Sequence, residues 1–425
     1  MAMAMTPVYL SAQEHNHDHQ HSHTTEHAHE GHDAHADHAD HADHDAGAYD
    51  PVGTVMHHIA DANEYHVWKG VHLPLPCFLY APDHGWTIGM ASMFEHGHAA
   101  VDGYVINHGR VNRVADPSFP KGKVHIDGIE HREESQVVKG KEKKVDVYYA
   151  KYLGRTYKLD KPSTLDGGVL GGGITSFYDF SITKNVATMI LASVLLLFVW
   201  LSVAKAYQRN AGRAPSGLQS FMEPLFVFIR EEVTRPMIGE KHYERFQPFI
   251  MSLFFFILFC NLLGLVPFFP GGANVTGNLA VTLVLAVFTF LVVNLNGNKH
   301  YWEHIFWMPG IPAWVKIILT PVEVLGLVIK PFSLMIRLFA NISAGHIIIL
   351  SLIGLIFLFG NNGESVGGAA AGGVIGGLFT AFMNLIELLV AFLQAFIFAI
   401  LTASYIGAAV EEGHGHDHDH AEAHH

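Results

Sequence analysis

The feature that most constrains this chain is a set of ionisable side chains set inside stretches too apolar for water. Five runs, 186–204, 249–269, 279–294, 315–359 and 374–410, are nearly free of charge. A helix needs about 20 apolar residues to cross the hydrocarbon core of a bilayer, so the first three runs predict single crossings. The last two are too long for a perpendicular crossing and predict strong tilt or a bend, with Pro331 a natural kink. Within those last two runs stand Glu323, Arg337, His346 and Glu387, accompanied by Asn341 and Gln394. A charge at the bilayer centre costs about 3 kcal/mol or more, so such groups face an interior path or a partner and mark function.

Their spacing is informative. Arg337 and Asn341 are one turn apart and share a helical face. Glu323 precedes Arg337 by close to four full turns, ~21 Å along the axis, and so faces the same way at another depth. Glu387 and Gln394 share a face and differ in depth by ~10 Å. His346, two and a half turns past Arg337, points away from it in a straight helix. Arginine stays protonated in essentially any protein setting. It cannot relay a proton, but as a fixed positive charge it would ionise a carboxylate passing it and block a direct leak. Glutamate and histidine can gain and lose protons once their surroundings tune them. Titratable groups on either side of a fixed arginine are what two offset proton half-channels need.

Several motifs carry a family resemblance. They are Arg337-Leu338-Phe339-Ala340-Asn341 followed by Ser343-Ala344-Gly345-His346, and the preceding Lys330-Pro331-Phe332-Ser333-Leu334. The stretch from Glu387 through Gln394 to Phe398, the Asn261-Leu262-Leu263-Gly264 segment with Pro267, and Ala273-Asn274-Val275-Thr276 complete the set. In this order, over about 177–411, they resemble subunit a of the F-type rotary ATP synthases. The resemblance implies that Arg337 faces a rotor ring of c subunits, with Asn341 and Gln394 beside it. It implies an outer half-channel holding the His346–Glu387 pair and lined in part by Asn261. It implies an inner half-channel lined by Glu323, with Ser333 nearby. Some bacterial members carry the histidine and glutamate in exchanged positions. The implied partners are the c ring, the b subunits of a peripheral stalk and the rest of the complex. No cofactor is implied, and ATP chemistry would take place elsewhere in the complex.

The expected architecture is an all-α polytopic membrane domain of about five spans, the last two forming a long tilted hairpin. An amphipathic segment at 218–235, with Phe221, Leu225, Phe228 and Ile229 on one side, is expected to lie along the membrane surface or to pack on another subunit. Basic residues concentrate between the first two spans (Lys205, Arg209, Arg213, Arg230, Arg235, Lys241, Arg245), whereas 267–278 and 359–373 contain no Lys or Arg. Positive-inside reasoning then puts the N-terminal part outside a bacterial inner membrane and the C-terminus in the cytoplasm.

Ahead of the spans, 1–12 resembles the tail of a signal peptide. The stretch 13–49 is histidine-rich, from His15 to His44, and is expected to be disordered. Residues 50–165 form a small external α+β segment, mostly β, joined by a glycine-rich linker at 166–176. The tail 412–425 repeats the histidine theme from His414 to His425. These tracts suit weak metal binding or proton buffering, or are simply solvated. His57, His58, Asp61, Glu64 and His66 would chelate a metal if helical, and are otherwise surface polar groups. The formal charge of −13 comes with no concentrated basic face, which argues against a nucleic-acid partner. Cys77 and Cys260 are not expected to pair, because Cys260 lies in an apolar run. Two rival readings remain. A histidine-rich transition-metal transporter would need clustered ligands along its spans, yet His346 is the one deep histidine. A metal-binding outer module could coexist with proton transfer.

Overall fold

The computed structural model describes residues 60–68, 71–114, 116–138, 141–161, 176–266, 272–308, 310–359 and 366–411. The expected features at 1–12, 13–49 and 412–425, nearly all of the glycine linker, and His57 and His58 lie outside the described residues.

The segment ahead of the spans is built, among the described residues, from antiparallel strands and one 3-10 turn. β1 (Glu64–Trp68) pairs with β2 (Val71–Pro74). β3 (Pro76–Ala81) pairs with β4 (Gly85–Met90), and a 3-10 turn follows at Ala91–Gly97. β5 (Ala99–Val101), β6 (Tyr104–Asn107), β7 (Arg110–Arg113) and β8 (Lys123–His125) form a four-stranded sheet. β9 (Gly128–Val138), β10 (Lys141–Tyr152) and β11 (Arg155–Lys158) form a meander. β12 (Tyr178–Asp179) returns to the far edge of β3, so residues just past 177 complete this sheet.

The local sequence explains this layout. Cys77, Leu79 and Ala81 alternate inward along β3, the two-residue period of a strand with one buried face. Asp102-Gly103, His108-Gly109 and Leu153-Gly154 each have positive φ at both positions, as a two-residue type I′ hairpin turn requires. Two apolar clusters result, one around Phe94, Tyr104 and Phe177, the other around Phe119, Ile126 and Tyr157. Glu64 and His66 lie on a strand, so they do not take the helical spacing that would let them chelate a metal together with Asp61. Asp61 instead accepts from the backbone N–H of Asn185 at 3.2 Å.

That contact belongs to a clamp on the first membrane helix, α1 (Lys184–Arg209). The Lys184 N–H donates to Ala62 O at 2.8 Å, and the Tyr65 hydroxyl reaches Lys184 O at 3.0 Å. Beyond α1 come α2 (Leu218–Phe228), a π-helical turn (Ile229–Thr234) and the short α3 (Arg235–Ile238). Phe221 and Met222 are adjacent and apolar, and only one can face inward. Met222 is buried, with Ile229, Val233 and Ile238, while Phe221 is exposed. The segment packs on α4 (Tyr243–Leu265) and on the C-terminal part of the last helix.

α5 (Leu279–Leu295), capped by the Asn278 side chain on Ala280 N, turns by 102° into α6 (Lys299–Trp307). α7 (Ala313–Phe359) and α8 (Val366–Val410) have 47 and 45 residues. At ~1.5 Å per residue each is roughly 70 Å long, more than twice a hydrocarbon core of ~30 Å. α7 continues as helix through both Pro321 and Pro331. Among the described residues four helices are long and apolar enough to cross a membrane, and the bent α5–α6 pair makes a fifth if it counts as one span. One face of α8 carries Ala391, Ala395, Ala399, Ala403 and Gly407, a small residue every fourth position. The four alanines are fully buried, and such a face lets helices approach closely without a hydrophobic driving force.

Candidate ion pathway

Contacts at three levels set how α7 and α8 lie together. Gly345 of α7 is against Glu387 of α8, Asn341 Nδ2 donates to Gln394 Oε1 at 2.7 Å, and Lys330 Nζ lies 5.5 Å from the Tyr405 ring centroid. Descending α7 therefore means ascending α8, an antiparallel hairpin whose facing polar groups run along both helices. Gln394 thus stands beside Asn341, one helical turn from Arg337.

At one end the polar groups are deeply buried. Glu387 is 4% exposed. A Cβ on Gly345 would stand 2.7 Å from Glu387 Oε1, so the carboxyl occupies space that only glycine leaves. His346 follows on the α7 backbone, and its side chain lies outside the described residues. Asn261 of α4 donates to Ala391 O at 3.0 Å and accepts from the Thr276 hydroxyl at 2.6 Å. Asn274 is buried in the same loop, folded over Gly277. The Ser343 hydroxyl closes the set by donating to Gly277 O at 3.5 Å. Buried amides and hydroxyls in an apolar bundle are costly unless bonded. Here α4, the 272–278 loop, α7 and α8 bring them together. Gln394 Nε2 and both side-chain polar atoms of Asn274 lack a hydrogen-bond partner among the described residues.

Arg337 is half-buried, one turn before Asn341, between the buried Leu334 and Leu338 on one side and the exposed Ile336 and Ala340 on the other. Among the described residues no carboxylate lies within ion-pairing distance of its guanidinium. Ser333 is half-buried one turn earlier, and Glu323 is half-buried farther along the helix. Glu323 lies within Coulombic reach of Tyr301 on α6. Beside it a pocket of about 320 Å³, counting its open mouth, is lined by Asn294, Tyr301, Lys330, Pro331, Leu334 and Tyr405, among others. Exposed Val322, Leu325, Ile329 and Phe332 cover the outward face of α7 at this level.

Of the residues singled out from the sequence, the structure brings Asn341 and Gln394 together and packs Asn261 against the α8 backbone at Ala391. Thr276, Gly345 and Lys330 enter the sequence reading only as motif residues without a role, and Tyr405 does not enter it. Tyr405 could have been found, since it lies three helical turns from Gln394 and so on the same face.

A fold of long apolar helices that bury amide and carboxyl side chains between them defines a multi-pass helical membrane protein. Residues 186–407 match the family described as ATP synthase A chain. The chain belongs to that family. It is 45% identical over 188 residues to an ATP synthase subunit a of Chloroherpeton thalassium, covering 43% of this chain and 55% of the relative. It is 42% identical over 261 residues to that of Myxococcus xanthus, covering 59% of this chain and 80% of the relative. A protein of Chlorobaculum tepidum, ATP synthase subunit a 2, is 44% identical over 187 residues, covering 43% of this chain and 51% of the relative. The chain thus spans about half the length of the Chloroherpeton and Chlorobaculum relatives. Residues 54–147 match a second family, described as Domain of unknown function (DUF8433).

Proposed function

We propose that this chain is the proton-translocating subunit a of an F-type ATP synthase, a non-catalytic part of the complex that passes protons to and from a rotor ring of c subunits. The observation that carries this reading is Arg337. It is a permanent cation on a long membrane helix, without a carboxylate of its own among the described residues. It borders an exposed apolar face and lies between Glu387 and Glu323 along the hairpin. A cation so placed needs a counter-charge, and a carboxylate on a partner sweeping past would supply it.

The chemistry then runs in sequence. A proton from outside passes the His346–Glu387 pair and the Asn261–Thr276 polar wall, and neutralises a rotor carboxylate. The neutral carboxyl can enter lipid, where its anion could not. The ring turns, and the proton leaves past Ser333 and Glu323 toward the cytoplasm. Arg337 attracts the emptied carboxylate and repels a proton attempting the short circuit. Asn341 and Gln394 hold the neighbouring turn in place. Positive-inside reasoning puts the strand-rich N-terminal part outside the inner membrane and the C-terminus in the cytoplasm. The b subunits of a peripheral stalk would hold this chain against the ring.

ATP-driven proton pumping in vesicles carrying the assembled complex tests the reading. Arg337→Ala should abolish pumping while leaving assembly intact. Pumping at the wild-type rate in that variant would overturn it.

A further inference from the structure

We propose that Glu64, His72 and His96 form a binding site for a divalent transition-metal ion, zinc by ligand type, in the outer domain. Their ligand atoms come from three separate elements and all lie within 4.8 Å of one another. Glu64 opens β1, His72 lies on β2, and His96 is the penultimate residue of the 3-10 segment. The hairpin register sets Glu64 opposite Pro74 and His66 opposite His72, so Glu64 and His72 are diagonal neighbours across the ladder. Glu64 Oε2 is 2.9 Å from His96 Nδ1 and 3.7 Å from His72 Nδ1. The two imidazole centroids are 4.6 Å apart.

Two further observations point to a ligand rather than to a simple ion pair. Glu64 is 7% exposed, and its second oxygen, Oε1, is buried with no hydrogen-bond partner among the described residues. A histidine–glutamate pair uses Oε2 and leaves Oε1 at the desolvation cost of an unmet acceptor. A cation would be shared by both oxygens. In addition, Glu95 and His96 both adopt left-handed backbone, with φ of 49° and 54°. Non-glycine residues rarely take that region, and such strain collects at ligand clamps. Here it swings the His96 imidazole back over β1. Glu95 itself is engaged by Lys123 at 2.6 Å.

The donor set selects the ion. Two imidazoles and one carboxylate suit zinc and its first-row neighbours, whereas calcium and magnesium favour all-oxygen shells. With zinc–ligand bonds of about 2.0–2.2 Å, tetrahedral edges are roughly 3.3–3.6 Å. The 2.9 and 3.7 Å separations bracket that span. The exposed His96 side leaves a fourth position open to water. The site also adjoins the clamp that ties Asp61, Ala62 and Tyr65 to the start of α1. A bound ion would therefore lock the β1–β2 hairpin and the 3-10 turn together where the outer domain meets the first membrane helix.

Zinc retention by the full chain in detergent tests this, because the histidine tracts can be silenced by substitution. The background chain has the histidines of 15–44 and 414–425 replaced. After equilibration with zinc and dialysis against a weak chelator, it should keep one zinc per chain. His96→Ala in that background should lose it, and Glu64→Gln likewise. His96 is 56% exposed at its side chain, so His96→Ala leaves the fold intact, and its zinc-free melting should match the background. A background chain that keeps no zinc, or a His96→Ala chain that still keeps it, would overturn the site.

Discussion

Asn341 of α7 gives its side-chain N–H to Gln394 of α8 across 2.7 Å, one helical turn from Arg337. Gln394 is buried in the seam of the hairpin, 1% exposed, whereas Asn341 lies at its exposed edge. The bond sets the azimuth of the turn that carries Arg337, so its worth is positional as much as energetic. Interhelical hydrogen bonds in membranes contribute about 0.6 kcal/mol on average and up to about 1.7. We expect Asn341→Leu and Gln394→Leu each to slow proton pumping several-fold with the complex assembled. In a double-mutant cycle on thermal stability, the two should couple by about 0.6–1.7 kcal/mol. Strict additivity would show that the two side chains do not hold one another.

The close approach of Gly345 to Glu387 makes a second prediction. A methyl at Gly345 would lie 2.7 Å from the carboxyl oxygen and 3.1 Å from Cδ. The carboxyl is the far end of a flexible side chain, so it can move, and the subunit should still fold. On the proposed function, moving it takes the proton-bearing group out of line. If about 1.4 kcal/mol of that displacement falls on the transfer step, Gly345→Ala should pump about tenfold more slowly. Proton flux through the membrane sector, with subunit content measured in parallel, decides between a displaced carboxyl and a misfolded chain.

Much of this was readable in the sequence because it rests on local pattern. The length of α7 follows from hydropathy, whereas α8 begins at Val366, ahead of the apolar run at 374–410, and the shared face of Arg337 and Asn341 follows from a spacing of one turn. The bend after α5 was missed as a bend, although Asn294, Asn296, Gly297 and Asn298 are strong turn signals at the right place. The inward choice of Met222 over Phe221 could not be read, because helical periodicity serves neighbouring apolar residues equally and the packing partner decides. The Glu64–His72–His96 group was hidden for a different reason. Glu64 was grouped with His66 under a helical spacing, whereas a hairpin and a distant turn supply its neighbours. Strand pairing joins residues that no local pattern joins.

The small-residue face of α8 predicts where the bundle tolerates no added volume. At Gly407 a Cβ would overlap the Met237 carbonyl oxygen, which belongs to backbone and cannot swing aside. At Gly377, on the same helix, a Cβ would meet nothing within 4 Å. Overpacking a tight core costs about 1–3 kcal/mol and more where backbone must move. Gly407→Ala should therefore lower the melting temperature of the purified subunit and its level in membranes, while Gly377→Ala leaves both unchanged. Equal behaviour of the two variants would contradict close packing of α8 on α3.

In the strand-rich N-terminal domain, the Arg113–Asp83 pair predicts an acid-sensitive contribution to stability. Arg113 is 7% exposed at its side chain, donates to Asp83 at 2.6 Å and to Ser176 O at 3.0 Å, and lies 5.7 Å from the Tyr104 ring. The hydrogen bond from Arg113 holds the Asp83 carboxyl below its ordinary value. The folded state therefore binds that proton more weakly than the unfolded chain does. The stabilisation is complete above the usual aspartate range, about 3.9, and is lost as pH falls through the depressed folded value. Asp83 is 66% exposed, so solvent screening limits the effect to about 1 kcal/mol or less. Melting of the full chain in detergent should show Asp83→Asn less stable than wild type at neutral pH, with the gap closing as the pH drops below about 4. Arg113→Met should lose more, because the Ser176 bond and the Tyr104 contact go with it. A gap between Asp83→Asn and wild type that persists at low pH would show that the side chain acts there through something other than its charge.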